Sequence, residues 1–286
     1  SSGYAPIPAL STPAQIVQTA GKTNGNELNQ LSIGMKLADN LESGNYTNKL
    51  ILSFVSNPYT MRAVMTNGPD FNTKVGNLDP NPAYYSGPDS SLTKPSIKTF
   101  KRSTVAPASS VSAINIEDLD ASDYEIKAWY DSVTKTAYYY TEAEKIFLND
   151  DSNAMFHNLV NLTSLEVSNF DTSKVRGMGN MFFGDEKLVS LDLSNFNTQS
   201  LTNMDKMFYG MSNLTNLNIS SFDTSNVTNM NALFYGMANI ENIDISNFNT
   251  RNITNMSYMF SGMHKLKQLQ LPATFDTSNV TDMSFM

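Results

Sequence analysis

The sequence has no cysteine and only two histidines, His157 and His264, in 286 residues. The absence of cysteine excludes disulfides, zinc–thiolate sites and cysteine nucleophiles. Two histidines leave almost no material for a His-rich metal site or a Ser-His-Asp triad. There is also no glycine-rich phosphate loop and no nucleophile elbow. We therefore predict a protein that is not an enzyme and that has no metal site and no cofactor.

Charge is also scarce, because charged residues make up 16% of the chain and the net charge is -8. A nucleic-acid surface needs clustered Lys and Arg, whereas only 19 are spread over this chain, so we predict no nucleic-acid partner. No apolar run approaches the ~20 residues of a membrane helix, so no membrane insertion is predicted. The chain opens with Ser1-Ser2-Gly3 and not Met, so we expect a processed product or a piece of a longer protein.

Asparagine and methionine, by contrast, are abundant and unevenly distributed. Of 34 Asn, 21 follow residue 151, and 13 of the 16 Met lie from Met155 onward. Such a skew indicates a repeat, and apolar residues do recur every 26 positions. The clearest rows are Leu162, Leu188, Leu214, Ile240 and Leu266; Met178, Met204, Met230 and Met256; Phe182, Phe208, Phe234 and Phe260; and Gly184, Gly210, Gly236 and Gly262.

The repeat unit reads LxxLxLSNF(D/N)TxxVTNMxxMFxGMxxL. The LxxLxL stretch alternates apolar and polar residues, which predicts a short strand. NMxxMF places Met, Met and Phe at i, i+3 and i+4, which predicts a short helical or 3₁₀ segment that the glycine ends. One unit cannot bury its own apolar face, so units must stack. The fold predicted for 155–286 is a β-rich solenoid of the leucine-rich-repeat type, with four full coils and a truncated fifth.

Three further segments precede the repeats. Residues 124–154 carry two aromatic β runs joined around 131–135, which predict a β-hairpin that caps the solenoid. For Trp129 and Tyr138 to Tyr140 in this cap, packing over the first coil is favoured, and ligand stacking is the alternative. Residues 58–123 are rich in turn and linker residues and predict a connector with isolated strands, one of them within 97–105. Residues 1–57 contain alternating stretches typical of a β-sandwich-like module, either complete or partial.

Candidate binding residues follow from the strand alternation, because the polar residues of LxxLxL point outward. Stacked coils would align them in two rows. The rows are Glu166, Asp192, Asn218, Asp244 and Gln270, and Ser164, Ser190, Asn216, Asn242 and Gln268. One interpretation is an acidic, polar strip that docks a basic or hydrogen-bonding protein or glycan. A solvated face without a partner is the other, and the residues alone favour it.

The units resemble those of the BspA-like leucine-rich repeat surface proteins of bacteria, especially Gram-positive gut and oral species. The resemblance covers 124–286 and rests on stretches such as 168–173, 221–230 and 255–262. Met211, Met237 and Met263 stand where many relatives would have Cys. The resemblance implies secretion, display at the bacterial cell surface, and adhesin-type binding of a host or community protein or glycan, with no enzymatic activity.

An alternative function stays open beside adhesion. The repeats would then be a structural spacer or stalk, or part of a pilus-like assembly, and the module at 1–57 would make the contacts. The stretch at 46–55 has a weaker similarity to the closing strand of Ig-like or pilin-like modules. The sequence predicts neither the oligomeric state nor the identity of the partner.

Overall fold

The structure, a computed structural model, describes residues 60–84 and 93–286. This part of the chain is β-rich and contains a single helix, α1 (Gly68–Gly76). Its strands are β1 (Ala63–Val64), β2 (Ala83–Tyr84), β3 (Thr93–Lys94), β4 (Thr99–Arg102), β5 (Ile114–Asn115), β6 (Lys127–Asp131), β7 (Thr136–Tyr140), β8 (Ile146–Phe147), β9 (Ser164–Leu165), β10 (Phe170–Asp171), β11 (Ser190–Asp192), β12 (Asn216–Asn218), β13 (Asn242–Asp244) and β14 (Gln268–Gln270). The module predicted over 1–57 lies outside the described residues.

Helix α1 lies in the region predicted as a connector, and the sequence pattern did not indicate it. Its start is capped by Asn67, whose side chain accepts a hydrogen bond from the Asp70 amide at 3.0 Å. Pro69 stands in the first turn, where its missing N–H has no cost. The helix packs into the core through Phe71 and Val75, which are fully buried. Two apolar side chains in nine residues give too weak a period to predict a helix from sequence.

A five-stranded sheet joins the cap to the first repeat in the order β5-β6-β7-β4-β9. The hairpin predicted around 131–135 forms as the antiparallel pair β6–β7. Strand β4 pairs in parallel with β7 on one side and β9 on the other, so it is not an isolated strand of a connector. Its Phe100 stacks on Tyr139 with ring centroids 5.1 Å apart, and both rings are buried. This region of the chain therefore builds the core that the first repeat packs against.

Successive 26-residue units lie side by side in parallel. Isolated parallel bridges connect Asp151, Gly177, Asn203, Asn229, Asn255 and Asp282, each to the next. Inside, the ring of Phe208 stacks between those of Phe182 and Phe234 with centroids 5.9 and 5.8 Å away and nearly parallel planes. The periodic Leu, Met and Phe rows of the middle units are buried, as the 26-residue register predicts.

The helical or 3₁₀ segment predicted for NMxxMF is wrong, because this stretch forms consecutive turns in every unit. Each full unit has one non-glycine residue in the left-handed region, with φ of 56° at Asn180, 53° at Lys206 and 50° at Ala232. Alternate amides bond across the unit boundary, and those between them close turns within the segment, as the Met181 amide does by donating to the Met178 carbonyl at 3.2 Å. Asn180 N–H donates to the carbonyl of Asp205 at 2.8 Å, and the next units repeat the pattern. The spacing of Met, Met and Phe serves burial between units and not a helix.

Buried threonines tie the units together and explain part of the Thr content. Thr198 Oγ1 donates to the Asp223 carbonyl at 2.9 Å and accepts from the Asp223 amide at 2.7 Å. The pairs Thr172–Asn197 and Thr224–Asn249 repeat this geometry. Each hydroxyl thus satisfies a backbone donor and acceptor that the sheet ladder does not reach.

Candidate binding face

Nine of the ten predicted outward residues lie on strands, as the alternation requires. β11 pairs with β12 in parallel, which puts Ser190 beside Asn216 and Asp192 beside Asn218. β13 pairs with β14 in the same way, with Asn242 beside Gln268 and Asp244 beside Gln270. Residues between them, such as Leu191 and Ile243, are buried. Eight of the ten predicted residues are exposed, and Glu166 and Asn218 are half-buried.

The structure distributes these ten residues over three sheets. Four lie in the β11–β12 sheet and four in the β13–β14 sheet. Ser164 lies on β9 in the five-stranded cap sheet, and Glu166 follows that strand, with its N–H bonded to the Phe100 carbonyl at 3.0 Å. The candidate face is thus a set of adjoining short sheets.

The acidic residues of the row also end their strands. Asp192 Oδ1 accepts a hydrogen bond from the Ser194 amide at 3.0 Å, and Asp244 Oδ1 accepts one from the Ser246 amide at 2.9 Å. The Ser194 amide lowers the pKa of Asp192, and hydrogen bonds from the Ser246 hydroxyl and amide lower that of Asp244. Both carboxylates are therefore charged at neutral pH, and each stabilises a turn in addition to facing solvent.

The electrostatic character of the face is negative with interspersed amides. Each Asp in the row stands opposite an amide side chain on the paired strand, Asn218 for Asp192 and Gln270 for Asp244. Directly opposed carboxylates would repel, and this pairing avoids that repulsion. The arrangement fits a basic or hydrogen-bonding ligand.

An aromatic cluster that the sequence assigned to cap packing lies on the outward side of the cap sheet. The rings of Trp129 and Tyr138 stack with centroids 5.5 Å apart and planes 22° apart, and Lys101 Nζ lies 5.4 Å from the Tyr138 centroid. All three side chains are half-buried, whereas their neighbours Ala128 and Tyr139 point into the core. Packing is thus the role of Tyr139, while Trp129 and Tyr138 are partly open to solvent.

A second aromatic feature was missed by the sequence analysis. Half-buried rings at 26-residue spacing stack on one another with centroids 4.5 to 4.8 Å apart. They are His157, Phe183, Tyr209 and Tyr235. We call this row the outer ring ladder; Tyr258 and Phe285 extend it from a different position in the unit. In the sequence, the outer ring ladder is indicated by the aromatic residue that directly follows the core Phe of each of these units.

One buried carboxyl breaks the apolar pattern of the core. Asp185 is fully buried in the row occupied in later units by Met211 and Met237. Its Oδ1 accepts from the Leu159 amide at 2.9 Å, and Oδ2 has no hydrogen-bond partner. Burial raises the pKa of Asp185 well above its usual range. Burial therefore favours the neutral form of this carboxyl.

Within residues 60–84 and 93–286, no group of three or more His, Asp and Glu side chains is placed to hold a metal ion. In the same residues, no helix is both long and apolar enough to cross a membrane.

The repeats match one protein-family model, described as "Mycoplasma protein of unknown function, DUF285". It matches residues 145–241 and again 209–286, two overlapping placements that together span just under half of the chain. The chain is thus a β-rich protein whose repeats are similar to those of this family. No curated protein and no solved structure matches it.

Proposed function

We propose that this chain is the extracellular, adhesin-type part of a bacterial surface protein. Its stacked units form a leucine-rich-repeat solenoid of the BspA-like kind, and the outer strand face binds a protein or glycan of the host or of neighbouring microbes. Secretion, display at the cell surface and the absence of catalysis belong to the same proposal. They draw support from the repeat motifs and from the match to a bacterial repeat family of unknown function.

The observation that carries the proposal is the alternation along the paired strands. Asp192 and Asp244 are exposed while Leu191 and Ile243, one residue before them, are buried. The repeat places such polar side chains on adjacent strands roughly 4.8 Å apart, so a ligand can contact several units at once. Multiple regularly spaced contacts are what a solenoid offers a large partner.

The test is a binding screen of the full chain against extracellular proteins and glycans, repeated with Asp192 and Asp244 changed. Asp→Asn at both positions removes charge and keeps the turn, because Asn218 already makes the same bond to the Ser220 amide at 3.2 Å. Asp→Lys at both positions reverses the charge. We expect binding to weaken in the first double variant and to be lost in the second.

Asp223→Asn is the matched control. Asp223 is exposed and accepts from the Ser225 amide at 2.9 Å, but it lies outside the strand rows. Binding that survives Asp→Lys at both row positions would contradict the proposed face. It would favour the spacer function, in which contacts are made by another part of the chain such as the module predicted over 1–57.

A further inference from the structure

The half-buried cluster of Trp129, Tyr138 and Lys101, which we call the cap platform, has the geometry of a ligand-stacking surface. The Trp129 and Tyr138 rings stand on adjacent strands β6 and β7, paired directly opposite each other. Lys101 occupies the next strand, opposite Tyr138, and covers one side of that ring. Strand β5 pairs only with Lys127 and Ala128, so Trp129 lies beyond the end of that pairing at the open end of the stack.

The platform continues into the predicted polar rows on one side of the same sheet. Thr99, two residues before Lys101, pairs with Ser164, and Phe100 pairs with Leu165. Continuing this register puts Lys101 next to Glu166. Trp129 and Glu166 are therefore three strand spacings apart, about 14 Å. An extended ligand can contact the rings at one end and hydroxyl and carboxylate groups at the other.

The charges on this surface select among ligands. Lys101 is engaged over the Tyr138 ring and neighbours a carboxylate, and the ten predicted row residues include no Lys or Arg. Lys127, two residues before Trp129 on the same face of β6, is likewise engaged, by Asn115 Oδ1 at 2.7 Å and by Glu125 at 3.1 Å. A polyanionic ligand would thus meet Glu166, Asp192 and Asp244 while both of these cations are already engaged. A ligand that offers apolar C–H faces to rings and hydroxyls to carboxylates and amides meets no such penalty.

We propose that the cap platform and the adjoining Ser164 and Glu166 bind a neutral oligosaccharide. A sugar ring stacks on Trp129, and further hydroxyls along the glycan hydrogen-bond to Glu166 and Ser164. This inference rests on the proposed adhesin function and names the ligand class and the anchoring rings.

Trp129 is the only tryptophan of the chain, so its fluorescence reports on the platform directly. The full chain is titrated with neutral cello-, manno- and lacto-series oligosaccharides, with sialylated and sulfated glycans as the comparison set. We expect a saturable shift of tryptophan emission with at least one neutral series, and weak or no response to the charged set.

Calorimetry of variants then tests the rings. Trp129→Ala and Tyr138→Ala should each weaken binding by about tenfold, whereas Trp129→Tyr, which keeps a flat ring, should change it by less than about threefold. Tyr209→Leu in the outer ring ladder is the control and should leave affinity unchanged. Unaltered circular dichroism shows that each variant is folded, and where Trp129→Ala is not folded, the affinity of Tyr138→Ala decides the test.

Three outcomes would overturn the inference: no response to any neutral oligosaccharide, responses confined to charged glycans, or affinity unchanged in Trp129→Ala. A protein ligand lost on charge reversal at Asp192 and Asp244, without a sugar response, would leave the proposed function standing while this inference fails. If every protein or glycan ligand binds all of these variants as tightly as it binds wild type, both the proposed function and this inference are contradicted.

Discussion

Gly262 faces the backbone of Gly236 across the boundary between two repeat units, and a Cβ added to Gly262 would lie 3.2 Å from the Gly236 Cα. Gly262 also has a φ of +76°, a backbone conformation that residues other than glycine adopt only at a cost in free energy. The glycine of each unit thus serves both a turn and the close approach of the next unit.

Gly262→Ala should therefore destabilise the chain by about 1–3 kcal/mol, measured by urea unfolding. Gly236→Ala should cost less, because its added Cβ would meet the Gly210 Cα at 3.7 Å. Gly76→Ala at the end of α1 is the control, since nothing lies within 4 Å of the added carbon. Equal stability of Gly262→Ala and Gly76→Ala would show that the stacked glycines are not required.

Removing one hydroxyl of the threonine row should uncouple two units. Thr198→Val keeps the volume but leaves the Asp223 amide and carbonyl without their partner, which should cost about 1–3 kcal/mol. Hydrogen exchange at the Asp223 amide should accelerate. Thr198→Ser keeps both bonds and should lose only the contribution of a methyl group. A Val variant as stable as wild type would mean that water replaces the hydroxyl.

Asp185 should make stability fall as the pH rises. Because burial raises the pKa of Asp185, the folded chain holds this proton when the unfolded chain has released it. The contribution of this proton to the free energy of unfolding is fully present below the pKa of the unfolded chain, about 3.9. It is lost as the pH rises from there through the raised pKa of the folded chain. Asp185→Asn and Asp185→Met are the variants to test, because Met occupies this position in later units. The stability of either variant relative to wild type should be greater at pH 7 than at pH 4.

The comparison is made by thermal unfolding of wild type and both Asp185 variants across that range. The difference between wild type and variant isolates this residue from carboxylates with lowered pKa, such as Asp223, whose effect has the opposite sign. A difference that does not change with pH would show that Asp185 is ionised in the folded chain.

The outer ring ladder should be structural. Tyr209 stacks between Phe183 and Tyr235 at 4.5 Å on each side, so both faces of its ring are covered. Tyr209→Ala should lower stability by about 1–3 kcal/mol and reduce the near-ultraviolet circular dichroism signal. Tyr209→Phe keeps the stack and should be close to wild type. Loss of ligand binding in Tyr209→Phe would instead assign the ladder to a binding surface.

The repeat register by itself determined the buried rows, the strands and the turn glycines. A 26-residue period with apolar residues at set positions leaves one way to bury them, which is why Phe208 and Leu191 could be assigned to the core from sequence. The hairpin β6–β7 was equally predictable, because aromatic runs flanking a polar turn pair locally.

Tertiary structure decided what depends on partners distant in sequence. NMxxMF has helical spacing, yet alternate amides of this stretch bond to the next unit, as Asn180 does to Asp205, and that competition cannot be read from one unit. Strand β4 likewise lies between β7 and β9 because Phe100 completes a core shared with Tyr139. The outward pairing of Trp129 with Tyr138 follows from the same sheet. Local pattern specifies which residues are buried, but the unit or strand that satisfies each backbone group is set only when the chain packs.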